Sequence, residues 1–173
     1  MKTALMLIDW QERLFPVMLE GIRDRNLKQV STLHWFAEET GLPTFVSEQY
    51  PKGLGSTLSL LEVTDAIPKT HFSAMKEEAF ANAVKADLPE TVILTGMETH
   101  ICVLQTGLDL LALGCRVQVV VDGVLSRRKL DWKTGLGQLE RAGAELVTTE
   151  GILFANLEKA GGPLFKEVSR RIR

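Results

Sequence analysis

TVILTGMETHICVLQTGLDLLAL, residues 91–113, is the stretch whose reading decides the fold. Thr91–Thr95 is a β-branched apolar run of strand length, closed by Gly96. Thr99–Leu113 reads as a helix and stops at Gly114. Arg116–Val121 then restarts as a second apolar strand that Asp122-Gly123 would end. Continuous apolar strands, as opposed to alternating ones, belong to a sheet covered on both faces.

Working outward, the same alternation fills the chain. Thr3–Asp9 is another continuous apolar run, ending in a carboxylate. Asp24–Thr40 has a helical stripe at Leu27, Val30, His34 and Ala37, with Gly41 and Pro43 as stop signals. Pro43–Ser47 restarts as a strand, and Glu48–Ser56 (EQYPKGLGS) is a loop rich in turn formers. Ala66–Lys69 is a short third strand and Glu77–Lys85 a helix, with Pro89 as the exit. Asp131–Ala142 is a helix stopped by Gly143, Glu145–Thr148 the last strand, and Pro163–Arg173 a basic amphipathic helix. Alternating units predict a single three-layer α/β domain over residues 1–173, its parallel sheet covered by helices on both faces. Ligands in such sheets bind outside the carboxyl ends of the strands, where the strand order reverses. Asp9, Gln49, Tyr50, Lys69, Gly96–Cys102 and Asp122 are therefore the positions to read for chemistry.

The 173 residues are 45% hydrophobic and 24% charged, with a net charge of −2. That balance is ordinary for a globular chain. It gives no electrostatic reason to expect nucleic acid or an anionic membrane as partner. The longest apolar runs, Ala4–Ile8 and Val117–Val121, fall far short of the ~20 residues of a membrane span. The N-terminus enters a strand-like run at once, so a cytoplasmic location is expected. Two cysteines, Cys102 and Cys115, make no disulfide framework and no CxxC pair.

Cys102 is the most informative residue. It stands between a buried strand and a helix, and the spacing puts it in the helix's first turn with Thr99 as N-cap. Free backbone N–H groups there favour a thiolate. The plain alternative is a small buried hydrophobe, a reading that Cys115 fits well. Asp9 is either a cap or turn residue or a general base raised by partial burial. Lys69 after Pro68 is either a solvated surface charge or a fixed cation beside a thiol and a developing oxyanion. His100 could complete a Cys–His dyad, but two positions before Cys102 on a helix it points away, which favours lining the pocket or reaching a partner subunit. His71 is a candidate ligand contact, and His34 lies on an apolar stripe. Three scattered histidines lack metal-ligand spacing, and neither GxGxxG nor GxxxxGK[ST] is present. No metal and no cofactor are expected.

DWQERLF following the first strand, KTHFSAM around Lys69 and GMETHICV around Cys102 together resemble the isochorismatase-like cysteine hydrolases. The resemblance runs nearly the whole length, including VVVDGVLSR at 119–127. EQYPKGLGST and PLFKEVSRRIR are similar to the subgroup of isochorismatase-domain-containing proteins. It implies a doubly wound six-stranded sheet of order 3-2-1-4-5-6 and a catalytic triad of Asp9, Lys69 and Cys102. It also implies a cis peptide at Met97–Glu98, an oxyanion hole from the Glu98 and Cys102 amides, and a homo-oligomer. Gln11, Phe15, Gln49, Tyr50 and Phe72 are candidates for the substrate pocket, with core packing as the alternative for the two phenylalanines. Metal-binding members carry Asp-x-His where this chain has Glu48-Gln49-Tyr50-Pro51, so neither metal nor nicotinamide carries over. Members that cleave isochorismate have glycine in place of the cysteine, so Cys102 argues against that substrate. The expected activity is hydrolysis of a small amide-type substrate through a thioester. Two rivals are a non-catalytic binding or scaffolding protein on the same fold and a flavodoxin-like nucleotide module.

Overall fold

The computed structural model describes residues 2–157 and 159–173. Six strands form one sheet: β1 (Thr3–Ile8), β2 (Thr44–Gln49), β3 (Ile67–Lys69), β4 (Thr91–Met97), β5 (Arg116–Leu125) and β6 (Glu145–Val147). The order is β3-β2-β1-β4-β5-β6, with every adjacent pair parallel. Strand order reverses between β1 and β4, which places the crevice of a doubly wound sheet at their carboxyl ends.

Seven helices connect and cover the described strands: α1 (Glu20–Thr40), α2 (Pro51–Leu54), α3 (Glu78–Ala86), α4 (Leu104–Ala112), α5 (Lys129–Arg141), α6 (Thr149–Leu157) and α7 (Gly162–Arg171). The period of two along β1 explains the three layers. Leu5 and Leu7 face one side and pack with Val30, Leu33 and Phe36 of α1, Leu153 of α6 and Val168 of α7. Met6 and Ile8 face the other and pack with Phe80 of α3, Leu110 of α4 and Leu139 of α5. Each such side chain, fully buried, contributes about 1.5–3 kcal/mol. The basic tail docks on α1, where the Arg171 guanidinium lies 4.1 Å from the Trp35 ring centre.

Two boundaries depart from the sequence reading. Asp122-Gly123 does not end β5, which continues to Leu125. Pairing with β4 passes from Leu94↔Val119 to Gly96↔Val124, so the two residues lie in a bulge. Turn formers look alike in a bulge and at a strand end, because both leave a ladder position unpaired. Asp122 itself accepts from the Thr149 amide (2.8 Å) and hydroxyl (3.2 Å), which holds the start of α6. The second departure is Thr99. It caps nothing: its hydroxyl donates to the Leu125 carbonyl at 2.9 Å, and Thr99–Val103 is a π-helical turn leading into α4. The sequence reading has no helix where α6 stands; the other elements lie within a few residues of their expected places, α1 beginning one turn earlier than Asp24 and Pro51–Leu54 coiling within the expected loop.

Candidate active site

Three strand ends deliver the three expected groups to one rim. Asp9 follows β1 with φ of 55°, a left-handed conformation that aspartate tolerates better than most residues. Its amide donates to Ser47 O and its carbonyl accepts from Gln11 N, which fixes the turn. Lys69 is the last residue of β3 and pairs in register with Gln49. Cys102 lies on the π turn after β4. All three side chains are buried.

Close packing brings that turn to the sheet. A Cβ on Gly96 would fall 2.5 Å from the Ile8 carbonyl and 2.9 Å from a Val103 methyl, and its φ is +151°. Only glycine lets β4 pass this near the end of β1. On the far side, a Cβ on Gly135 of α5 would stand 2.9 Å from His100 Cα. The turn that carries Cys102 is thus held between β1 and α5.

The geometry around Asp9 is specific. Ser47 Oγ donates to Oδ1 at 2.7 Å. Lys69 Nζ lies 2.8 Å from Oδ2 as an ion pair with both side chains fully buried. The ammonium protons have neutral acceptors: Gln49 Oε1 at 2.5 Å, His71 O at 3.1 Å and Phe72 O at 3.0 Å. Oδ2 is in charge contact with Nζ at an angle short of a well-aligned hydrogen bond. Burial pushes the Asp9 carboxyl up; the Lys69 cation, the thiol and Ser47 oppose that. The Cys102 thiol is pushed up to about 12, first by burial and next by the Asp9 charge, against the pull of Lys69. At neutral pH Cys102 is therefore a thiol, set beside Asp9 and Lys69. The thiolate expected from a helix N-terminus does not form at rest, because burial and the carboxylate outweigh that dipole.

Gln49 joins the cluster directly, with Oε1 4.0 Å from Cys102 Sγ and Nε2 donating to Thr70 O. Tyr50 and Phe72 are more than half exposed. Tyr50 edges a cavity of 380 Å³ that Lys69, Lys52, Pro68 and Glu77 also line. Gln11 and Phe15 are placed elsewhere. The Gln11 amide is buried and committed to the backbone of Gln49 and Gly55. Phe15 packs with the α1-side core, with Arg23 over its ring. His71 is exposed beside Glu77. His100 turns to Ser126 Oγ at 3.0 Å, away from the thiol. The Met97–Glu98 peptide is cis. The Glu98 carboxylate is buried and pairs with Arg127 at 2.9 Å. Among the described residues, no cluster of three His, Cys, Asp or Glu side chains could hold a metal ion.

Several residues that shape the rim gave no signal in the sequence. Ser47, which orients Asp9, is one small polar residue inside an apolar strand. Ser73 Oγ donates to Asp109 at 2.6 Å, and the Ala74 amide to Thr106 Oγ1, tying the loop after Lys69 to α4. Glu98, Thr99 and His100 contact Arg127, Leu125 and Ser126 in turn, which locks the π turn to the end of β5. The VVVDGVLSR stretch contains all three partners, but only the paired fold shows what they meet.

This architecture is that of the isochorismatase-like hydrolases. The chain belongs to that family: the Isochorismatase domain matches residues 3–151. Isochorismatase domain-containing protein 1 of Salmo salar is 38% identical over 99% of the chain, which spans 61% of that relative's length. The solved structure of a MAR1 ribonuclease from Caenorhabditis elegans is 36% identical with a TM-score of 0.89, covering 99% of this chain and 89% of that one. The Escherichia coli YcaC gene product, described as an octameric hydrolase of unknown specificity, shares the fold. It has a TM-score of 0.77 and 24% identity over 87% of this chain and 77% of its own.

Proposed function

We propose that the protein is a cysteine-dependent hydrolase of a small amide-type substrate. One observation carries this reading: a buried thiol, carboxylate and ammonium interact at the switch point of the sheet, delivered by separate strand ends. Such a cluster is costly to bury and adds little to stability that hydrocarbon would not supply. Its chemistry is what gives it a use.

In the proposed reaction, Asp9 Oδ2 takes the Cys102 proton as Sγ attacks the carbonyl carbon. The carbonyl π pair becomes an oxyanion, received by the Glu98 and Cys102 amides; such donors are typically worth about 2.7–4 kcal/mol each. Collapse expels the amine, which takes the proton from Asp9, and leaves a thioester on Cys102. Water then attacks the thioester with Asp9 again as base, and the acid and the thiol are released. Lys69 keeps Asp9 ionised before attack and offsets charge near the sulfur. No metal or cofactor enters these steps.

Gln49, Tyr50 and Phe72 stand at or above the cluster as candidate substrate contacts. Gln11 and Phe15 would act from behind, by holding the β2 end and the loop after β1. The whole of residues 1–173 works as one domain in this reading, in the cytoplasm. The octameric YcaC product supports assembly of copies, as do Leu108 of α4 and Leu113 at its end, both substantially exposed. No helix among the described residues is long and apolar enough to cross a membrane.

The name of the C. elegans neighbour brings a ribonuclease as second reading. The net charge of −2 provides little general attraction for a polyanion, and the small-molecule reading is preferred. The test is a panel of small primary amides alongside RNA, with acyl adducts on Cys102 sought by mass spectrometry. An adduct of the acyl portion, absent in Cys102→Ala, supports the amide reading. RNA cleavage that survives Cys102→Ala, with no amide turned over, overturns it.

A further inference from the structure

Asp9 has a different neighbour on each carboxylate oxygen. Lys69 Nζ brings a positive charge to Oδ2 at 2.8 Å. Ser47 Oγ brings a neutral hydroxyl to Oδ1 at 2.7 Å. Lys69 favours both anions of the site, the Asp9 carboxylate and the Cys102 thiolate. A cation that serves both anions chooses between them less than a donor that serves one. Ser47 is that donor, and it serves the carboxylate.

The hydroxyl is placed by the sheet itself. Ser47 is fully buried in the interior of β2. A buried hydroxyl is costly unless its proton is bonded. It has a single proton, and Asp9 Oδ1 accepts it. The main chain sets the aim: Asp9 N–H donates to Ser47 O at 3.1 Å, and Ser47 pairs in register with Ile8. Such a bond is roughly twice as strong to an ionised oxygen as to a neutral one. It therefore favours the ionised form of Asp9.

We propose that Ser47 is a positioning residue that, by donating to Asp9 Oδ1, keeps the proton shared by the pair on Cys102 Sγ until a substrate carbonyl arrives. This role rests on the hydrolase reading above, in which Asp9 is the base for Cys102, and adds what holds the proton at rest. That proton has two places, Sγ and Asp9 Oδ2. The Ser47 bond stabilises the state with the carboxylate ionised and the S–H bond intact. On attack, the proton passes to Oδ2 and the S–H pair forms the bond to carbon. Ser47 still donates to Oδ1 and exchanges nothing.

The consequence has a sign that damage to the site would not produce. The charged and titratable groups facing Asp9 are Lys69 from β3 and Cys102 from the π turn. Ser47→Ala leaves both in place and removes the neutral donor, so Asp9 becomes a stronger base. Asp9 then ionises at higher pH. Once ionised, it draws the thiol proton more strongly and raises the share of thiolate. Loss of Ser47 should thus quicken the sulfur, whereas a displaced turn would slow it.

The experiment is the pH dependence of Cys102 alkylation by iodoacetamide, read by peptide mass spectrometry on the full chain. Sγ bonds to the methylene carbon, iodide leaves, and the thiol proton passes through Asp9 to water. Cys115 labelling is the check on folding. The wild type is expected to show an acidic limb as Asp9 ionises, then a plateau. Ser47→Ala should move the limb up by about one pH unit and raise the plateau by up to about tenfold, the scale of one hydrogen bond to a charged group. Ser47→Thr keeps the hydroxyl and should leave the limb where it is. Ser47→Cys is close in size and a weaker donor. It should give a smaller shift in the same direction, and it carries the test where Ser47→Ala does not fold. A limb left in place or moved down in folded Ser47→Ala overturns the proposal whatever the plateau does. So does a limb in Ser47→Thr displaced as far as in Ser47→Ala. If the wild type has no acidic limb at all, the hydrolase reading fails; if it has one that Ser47 does not move, only the role of Ser47 fails.

Discussion

Cys102 and Cys115 are close in sequence and equally hidden, yet their surroundings differ in kind. Cys115 is 5% exposed, and burial alone raises its thiol. Cys102 is 6% exposed, and its thiol answers to burial, to Asp9 and to Lys69 together. Burial therefore does not separate a structural thiol from a candidate nucleophile; a positioned base does. In the proposed reaction a thiol pushed up to about 12 beside Asp9 gives up its proton during attack, with no standing thiolate. That choice also protects the sulfur, because thiolate character governs oxidation and adventitious alkylation.

The largest effect should come from removing the sulfur itself. Cys102→Ala should lower turnover by about 10⁴-fold or more, as loss of a nucleophile does elsewhere. Initial rates on whichever amide the panel identifies would measure this, and turnover within tenfold of wild type would break the comparison. The pH profile sharpens it. Asp9 must be ionised to act as base, and burial raises its carboxyl. Activity should therefore fall as pH falls through a value above the ordinary carboxylate range. No thiolate-driven rise should plateau below about pH 9, because the thiol ionises near 12.

Next comes the energetic cost of the cluster. Lys69→Met leaves the Asp9 charge buried without its partner, a change worth about 3–5 kcal/mol. Asp9→Asn leaves the ammonium in the same position. The double variant removes both charges and should be more stable than either single one, near to the wild type, while remaining inactive. Urea midpoints of the four proteins complete the cycle. A double variant as unstable as the single ones would mean that the pair is a stability device, and one as unstable as their sum would mean that the two charges do not interact. Cys115 has no such partner to cycle against, which is the contrast in energetic form.

The sequence revealed these two environments unequally. The sheet was legible because buried parallel strands are continuous apolar runs, and Thr3–Asp9 and Thr91–Thr95 stand out as such. Strand ends in a doubly wound sheet are also where chemistry collects, so Asp9, Lys69 and Cys102 drew attention by position. What stayed hidden depends on pairing across the chain. Ser47 faces Asp9 because β1 and β2 are in register at Ile8↔Ser47. Asp122-Gly123 looked like a strand end, since a bulge and a terminus use the same residues. Thr99 looked like a cap, since only the position of Leu125 O decides where its hydroxyl points. Gln11 and Phe15 follow a strand end in sequence, but their side chains turn to backbone and core.

A smaller effect should follow from crowding the turn that holds Cys102. Gly135→Ala places a methyl 2.9 Å from His100 Cα, 3.0 Å from His100 N and 3.1 Å from Thr99 C, all main chain that cannot swing aside. Overpacking of this kind costs about 1–3 kcal/mol, and a shift of the turn by a few tenths of an ångström misaligns the sulfur. A roughly tenfold loss of turnover is expected beside a modest fall in Tm. Gly137→Ala is the control, because its nearest neighbour is the end of the flexible Arg141 side chain at 3.3 Å. That variant should be neutral or up to about 1 kcal/mol more stable, since alanine outranks glycine in a helix. Equal activity losses in both would disconnect α5 from the turn.

The smallest effect belongs to the other cysteine. Cys115 packs with Leu110, Val117 and Leu139 in the hydrocarbon between α4, β5 and α5. Valine is apolar and close in volume, so Cys115→Val should change stability by less than about 1.5 kcal/mol. Turnover and the pH limb should be unchanged, because no charged group acts on this thiol. The same exchange at Cys102 would place a methyl pair against the Asp9–Lys69 pair and abolish activity while leaving the fold. Denaturation midpoints and initial rates of the two valine variants form one matched comparison. A loss of turnover in Cys115→Val as deep as in Cys102→Val would show that packing around a buried thiol, without a base beside it, is what activity requires.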